Sequence, residues 1–335
     1  ESIYDHAHRL QKGIGMKADK KQALKYYKKA AHLGHANSLF KIGLMYYKGD
    51  GVKENKKEAA KYYKKAAEKG SASAMTNYGF MLQKGDGIEE NKKKASEYYK
   101  RAADAGDKVA MFNYALMNYN GDGIHTNKKQ AAKYYKKGSD KGDLHCMYNY
   151  GMMLYKGDGI KADKNQAFIL IKKSAEQGDS KSNFRYSKML ESKGTQNELN
   201  DAIKYYKRGS KKGDVHCMYH YANMLYSGKS IPENKKEAAK YFKMAADNGH
   251  IKSMNIYSKM LKDDDVVQKD KKESEKYEKM FLCNQYNAKN KNEDKIYLLN
   301  EEQQQLLKEK AYLNKMGAKQ DDLESMFWYG VQLYF

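Results

Sequence analysis

A Tyr-Tyr-Lys step returns along this chain at an almost fixed interval, and nothing else in the sequence limits the fold as tightly. Tyr26-Tyr27, Tyr62-Tyr63, Tyr98-Tyr99 and Tyr134-Tyr135 are each separated by 36 residues. Tyr205-Tyr206 follows 71 residues after Tyr134-Tyr135, two steps less one residue, and Phe168-Ile169-Leu170-Ile171 fills the slot between them. Tyr241-Phe242 closes the series another 36 residues on. A period of this size marks a solenoid, in which each unit packs on its neighbours rather than on a shared centre. Length alone, 335 residues, would suggest one or two globular domains, and the period overrides that expectation. Pro232 is the single proline, so long helices meet almost no breaker.

Each unit divides into two helical segments. The first is expected from about Ser73 to Leu82, where Met75, Tyr78, Gly79, Met81 and Leu82 fall on one side of a helix. Lys84-Gly85-Asp86-Gly87 ends it, with glycine supplying the left-handed closing residue. The second opens on a capping box, as in Asn55-x-x-Glu58, Asn127-x-x-Gln130 and Asp163-x-x-Gln166, and closes at Gly34, Gly70, Gly106, Gly142, Gly178, Gly213 and Gly249. Gly43, Gly79, Ala115, Gly151 and Ala222 are placed where helices must approach closely, and the paired tyrosines are expected to bury their rings between repeats.

The run Ala-Met-x-Asn-Tyr-Gly-x-Met-Leu from Ala74 to Leu82, the Gly-Asp-Gly loop, and Ala-x-x-Tyr-Tyr-Lys-x-Ala-Ala-x-x-Gly ending at Gly70 together resemble Sel1-like repeats, relatives of the tetratricopeptide repeat. The resemblance implies an all-α, right-handed α-solenoid of helix-turn-helix repeats. It also implies a protein-binding adaptor or scaffold, and brings no catalytic residue to transfer. The repeat array is assigned to residues 1–281. Residues 282–309 are read as a degenerate repeat or linker helix, and 310–335 as the start of a further repeat. Two turns depart from the pattern, Glu191-Ser192-Lys193-Gly194 and Ser227-Gly228-Lys229-Ser230, and should differ locally. Glu1 already lies inside a repeat, so the sequence reads as a fragment or processed product. Met326 to Phe335 reads as a first helix lacking its second, so the natural chain is expected to continue or a partner to dock there.

Repetition accounts for most side chains that would otherwise suggest chemistry. His145-Cys146 and His216-Cys217 are 71 residues apart. At ~10 Å per stacked helix the two pairs cannot share a metal with bonds of ~2 Å. Ser227-Gly228-Lys229-Ser230 lacks the first glycine and preceding strand of a phosphate loop. No nucleophile, base and orienting residue stand out from the repeat. An enzyme, a metal centre and a cofactor are therefore not expected. The net charge of +22 has two readings, a solvated lysine face copied in every repeat or attraction to an acidic partner. Three cysteines are too few and too scattered for a disulfide framework, and the chain carries no Asn-x-Ser/Thr sequon, which points to the cytoplasm. No apolar run approaches the ~20 residues of a membrane helix.

The expected function is a non-catalytic scaffold holding a peptide or helix of another protein within a large assembly. An acidic partner is favoured, such as the tail of a cytoskeletal filament or of a chaperone. The alternative is a nucleic-acid- or ribosome-associated protein. Candidate contact residues are the variable positions Lys41, Thr76, Phe112, Tyr148, Phe184 and Tyr219. To these are added Arg185 and His220, which replace Asn77, Asn113 and Asn149 in later repeats, and Trp328 near the end.

Overall fold

The computed structural model describes residues 2–228, 230–263 and 267–289. Among them the chain forms sixteen α-helices, paired as antiparallel hairpins. The first compact unit, Glu1–Asp214, contains α1 (Ile3–Lys12), α2 (Lys20–His32), α3 (Ala36–Lys48), α4 (Lys56–Glu68), α5 (Ala72–Lys84), α6 (Lys92–Asp104), α7 (Lys108–Asn120), α8 (Lys128–Asp140), α9 (Leu144–Lys156), α10 (Lys164–Glu176), α11 (Ser180–Glu191) and α12 (Gln196–Lys211). The second unit begins at Val215 and contains α13 (Val215–Ser227), α14 (Lys235–Asp247), α15 (Ile251–Met260) and α16 (Lys271–Lys289). Odd-numbered helices are the first of each hairpin and even-numbered ones the second, and within each unit successive helices pack side by side.

The ends of the helices follow the residues chosen for them. Asp19, Asn55, Asn91, Asn127 and Asp163 cap the second helices by accepting from the backbone N–H three residues on. Ser71, Asp107, Asp143 and Asp179 do the same for first helices. Gly49, Gly85, Gly121 and Gly157 close first helices in the left-handed region. The second tyrosine of each pair is the centre of its repeat: Tyr27, Tyr63, Tyr99, Tyr135 and Tyr206 are fully buried, with Ile171 in the equivalent place. Gly43 is what admits Tyr63, because a Cβ there would lie 2.7 Å from the ring. The first tyrosine sits beside it, edge-on to a first-helix ring in Tyr78–Tyr98, Tyr114–Tyr134 and Tyr186–Tyr205, and in the second unit Tyr221–Tyr241.

One connection differs from its neighbours as the sequence reading expects, and one helix crosses the boundary placed at 281. Before α12 the seven-residue connection of earlier hairpins shrinks to residues 192–195, and the second helix gains a turn at its N-terminus, capped by Thr195. Helix α16 runs on to Lys289 without a break at 281. The expectations for residues 290–335, Trp328 among them, lie outside the described residues.

Candidate functional site

The aspartate of each Gly-Asp-Gly loop ties one hairpin to the hairpin before it. Asp50 accepts from Gln11, 39 residues back, at 2.7 Å and from Lys20, 30 residues back, at 2.7 Å. Asp86 accepts from Tyr47 and Lys56, Asp122 from Gln83 and Lys92, and Asp158 from Tyr119 and Lys128, all within 2.6–2.8 Å. The second glycine of the loop is required by this approach. At Gly51 (φ +75°) a Cβ would come within 2.5 Å of Lys20 Cβ. The donor at the end of the first helix alternates between Gln and Tyr. Where it is Gln11 or Gln83, the amide oxygen also accepts from the buried Tyr27 or Tyr99 hydroxyl. Where it is Tyr47, the buried Tyr63 hydroxyl loses that acceptor and faces Asn77 without reaching hydrogen-bonding geometry. Hydrogen bonds from Lys128 and Tyr119 hold the Asp158 carboxyl below its ordinary range. The same bond to Asp158, followed by burial, pushes the Tyr119 hydroxyl up to about 12.

With the hairpins locked in this way, one face of each first helix in the first unit is left only partly buried. On it Asn77, Asn113 and Asn149 recur once per repeat, half-buried. Three residues further along each helix, Leu44, Phe80, Leu116 and Met152 form a parallel, half-buried apolar row. The sequence reading missed this row. Its signal was available in the 36-residue spacing, but the apolar side traced through Met75, Tyr78, Gly79, Met81 and Leu82 leaves Phe80 out. Asn149 donates to the His145 carbonyl of its own helix at 2.8 Å, so its amide is oriented by the backbone it sits on.

Several candidate contact residues lie elsewhere. Thr76 and Phe112 are 6% and 7% exposed, so they are corrected from surface to interior. Thr76 donates to the Ala72 carbonyl. Phe112 packs on Tyr135 of its own hairpin and on His145 of the next. Tyr148 and Phe184 hold the same register and are half-buried, with Phe184 against Tyr206. Lys41 belongs one residue later, to the asparagine row, where its neighbour Phe40 takes the Thr76 register and meets Tyr63.

The face changes character at α11. Asparagine gives way to Arg185, the apolar row to Lys188, and Lys181 lies one turn before Arg185, so three cations follow at intervals of four and three residues. Arg185 lies over the Tyr155 ring, 4.4 Å from its centroid. In the interior of the same helix Asn183 occupies the place of Met75, Met111 and Met147, fully buried with neither amide atom bonded.

In the second unit Tyr219 packs against His250 with centroids 4.5 Å apart and the rings tilted by 40°, and His216 and His220 complete a histidine cluster. His250 caps α15 by accepting at Nδ1 from the Ser253 N–H. Burial, followed by the charges of His216, His220 and Lys252, depresses its pKa to about 4. Cys146 and Cys217 are buried at the small-residue position of their helices. Among the described residues no group of three His, Cys, Asp or Glu could hold a metal ion, and no helix is long and apolar enough to cross a membrane.

Comparison with protein families matched seven consecutive segments to the Sel1 repeat: residues 1–35, 36–71, 72–107, 108–143, 144–179, 180–214 and 215–250. The α15–α16 hairpin follows the last of them. Among solved structures, the chain is similar to a protective antigen of uropathogenic Escherichia coli that displays an SLR fold. That likeness has 27% identity and a TM-score of 0.74, covering 84% of this chain and 61% of that one. The chain thus spans about three fifths of that antigen's length. It is also similar to a Sel1 repeat protein from Oxalobacter formigenes, with 25% identity, a TM-score of 0.52, and coverage of 84% and 97%. Comparison with curated proteins gave no match.

Proposed function

The chain belongs to the Sel1 repeat family, and from that premise we propose that it is a non-catalytic scaffold whose open first-helix face holds a segment of another protein. Sel1-like and tetratricopeptide-like repeats generally mediate protein–protein interaction, and the fold is typically a scaffold. The observation that carries the reading is the pair of rows: Leu44, Phe80, Leu116 and Met152 beside Asn77, Asn113 and Asn149. Apolar side chains at a fixed pitch, flanked by amides, suit an extended or helical segment that offers both side-chain and backbone contacts. The second helices support an acidic partner. Helix α2 carries five lysines and no acid, and α8 five lysines against one aspartate, so the scaffold draws in negative charge from a distance. A filament tail or similar acidic segment within a large assembly fits this description.

Partners recovered from cell extract at moderate salt should be lost when Phe80 and Leu116 are both changed to Ser. They should persist when Lys61 and Lys133 are changed to Gln. Recovery indifferent to the first-helix change overturns the reading.

The lysine-rich second helices also support a nucleic-acid reading. It is the weaker one, because Tyr98, Tyr134 and Tyr205 are buried rather than presented for base stacking. Retention on RNA or duplex DNA that falls steeply with salt, and that is lost in the lysine variant alone, would favour it.

A further inference from the structure

We propose that Arg185 reads a carboxylate of the bound segment, at the end of the apolar row. This rests on the first-helix face being the binding surface and adds the chemistry of the ligand at one point on it.

Three observations converge on this arginine. The first is what it replaces. Asn77, Asn113 and Asn149 are neutral, and the row beside them is apolar as far as Met152. At α11 both rows turn cationic together, in Arg185 and Lys188. The second is how the side chain is held. Tyr47 and Tyr119 donate their hydroxyls to Asp86 and Asp158 of the following loop. Tyr155 holds the same place one hairpin later, where the loop is Glu191-Ser192-Lys193-Gly194 and no aspartate arrives. The Arg185 guanidinium occupies that ring instead, 4.4 Å from its centroid, and stacking fixes the plane of its donors. The third is what it lacks. Among the described residues no carboxylate forms an ion pair with Arg185, and its Nε is buried without an acceptor. Lys188, by contrast, is taken by Glu191 at 2.7 Å. A half-buried guanidinium is normally paired. Leaving it without an anion is costly, and a planar, pre-oriented fork matches a carboxylate in bidentate geometry.

The ligand follows from the pitch. Hairpins repeat at ~10 Å and an extended chain rises ~3.3 Å per residue, so every third ligand residue meets the next repeat. The segment therefore carries apolar side chains at intervals of three, and a Glu or Asp one step beyond the residue over Met152.

The test uses blocked synthetic peptides on the whole chain. One probe is Leu-Ser-Ser-Leu-Ser-Ser-Leu-Ser-Ser-Leu-Ser-Ser-Glu with acetyl and amide ends. The others are its reverse and the Gln counterparts of both. In one direction the Glu peptide should bind about tenfold tighter than its Gln counterpart, as expected for a charge-assisted bond. Arg185→Asn, which restores the residue used in the other repeats, should abolish that ratio by weakening the Glu peptide more than its Gln counterpart. The chain contains four arginines, so the Arg185 Nε–H resonance can be assigned by its loss in that variant. It should shift with the Glu probe only. Equal affinity for Glu and Gln peptides, or a ratio that survives Arg185→Asn, overturns the proposal. Gln-peptide binding that is lost in the Phe80→Ser, Leu116→Ser variant would still uphold the wider reading, whereas no binding of any probe removes both.

Discussion

Asp158 and Gly194 stand 36 residues apart, at corresponding points of consecutive hairpins. Around Asp158 the loop has seven residues and is bonded to the preceding hairpin through Tyr119 and Lys128. Around Gly194 it has four, and that bond has no counterpart among the described residues. The helices on either side are nonetheless of the same kind: Tyr206 is as fully buried as Tyr135. Apolar periodicity therefore sets each hairpin, while a loop aspartate decides how firmly one hairpin is keyed to the last. Where the key is missing, the interior also loosens its specification, with Asn183 in a methionine place, and the open face gains its cations.

The largest effect should separate the two loops directly. Gly51→Ala must place a Cβ against Lys20 in a left-handed backbone, and is expected to cost about 3 kcal/mol or more. Gly194→Ala adopts a similar φ of +78° but meets nothing within 4 Å, so it should cost about 1 kcal/mol. Urea midpoints of the two variants measure the contrast, and equal losses would dissolve it. Next in size is Asn183→Met, which installs the residue used at Met111. Removing an unbonded buried amide should raise stability by about 1–3 kcal/mol, while Met111→Asn should lower it by at least as much. A destabilising Asn183→Met would mean that the polar interior of α11 has a partner of its own.

The hairpins were legible in the sequence because each relies on contacts three or four residues apart, or on the next helix. Caps, closing glycines and the Tyr63 seat against Gly43 all follow from such local patterns. The destination of Asp86 was not legible. Its donors lie 30 and 39 residues back, and Lys56 and Tyr47 look like any helix start and helix end. Alternation between Tyr47 and Gln83 hides the role further. Thr76 and Phe112 were placed on the surface because variability was taken for exposure. Their variation instead accommodates the next repeat, as Phe112 does with His145. Arg185 and His220 were noticed as breaks in the asparagine row, but the ring beneath Arg185 required three dimensions.

Acid should divide the molecule along a second line. His250 is neutral in the folded second unit, with a pKa depressed to about 4, against about 6.5 when unfolded. Its contribution is thus complete above about pH 6.5, is lost as pH falls toward 4, and levels off below. By pH 5 a substantial part of it is gone, less than the full shift implies because solvent screens a half-buried imidazole, and protonation of Nδ1 also removes the cap on α15. Hydrogen exchange of α15 amides between pH 7 and 5 measures it, and His250→Ser, which substitutes the cap used at Ser71, should flatten the slope. The aspartate keys respond later. Burial alone would raise the Asp122 carboxyl, but the bonds from Lys92 and Gln83 prevail and lower it. Their stabilisation holds above the ordinary carboxylate value of about 4 and fades only below it. Simultaneous loss of α15 and of the first-unit loops at pH 5 would contradict this order.

The finest discrimination rests on two hydroxyls. Tyr119→Phe removes a donor 2.6 Å from Asp158 and should cost about 1 kcal/mol. Because Asp158→Asn weakens the same bond, the double variant should fall short of additivity by a similar amount. Tyr155→Phe removes the corresponding hydroxyl where no aspartate follows, and keeps the ring on which Arg185 rests. It should therefore change stability by less than about 0.5 kcal/mol. A Tyr155→Phe cost equal to that of Tyr119→Phe would show that this hydroxyl has found another acceptor, and the missing aspartate would then no longer account for the difference between the two hairpins.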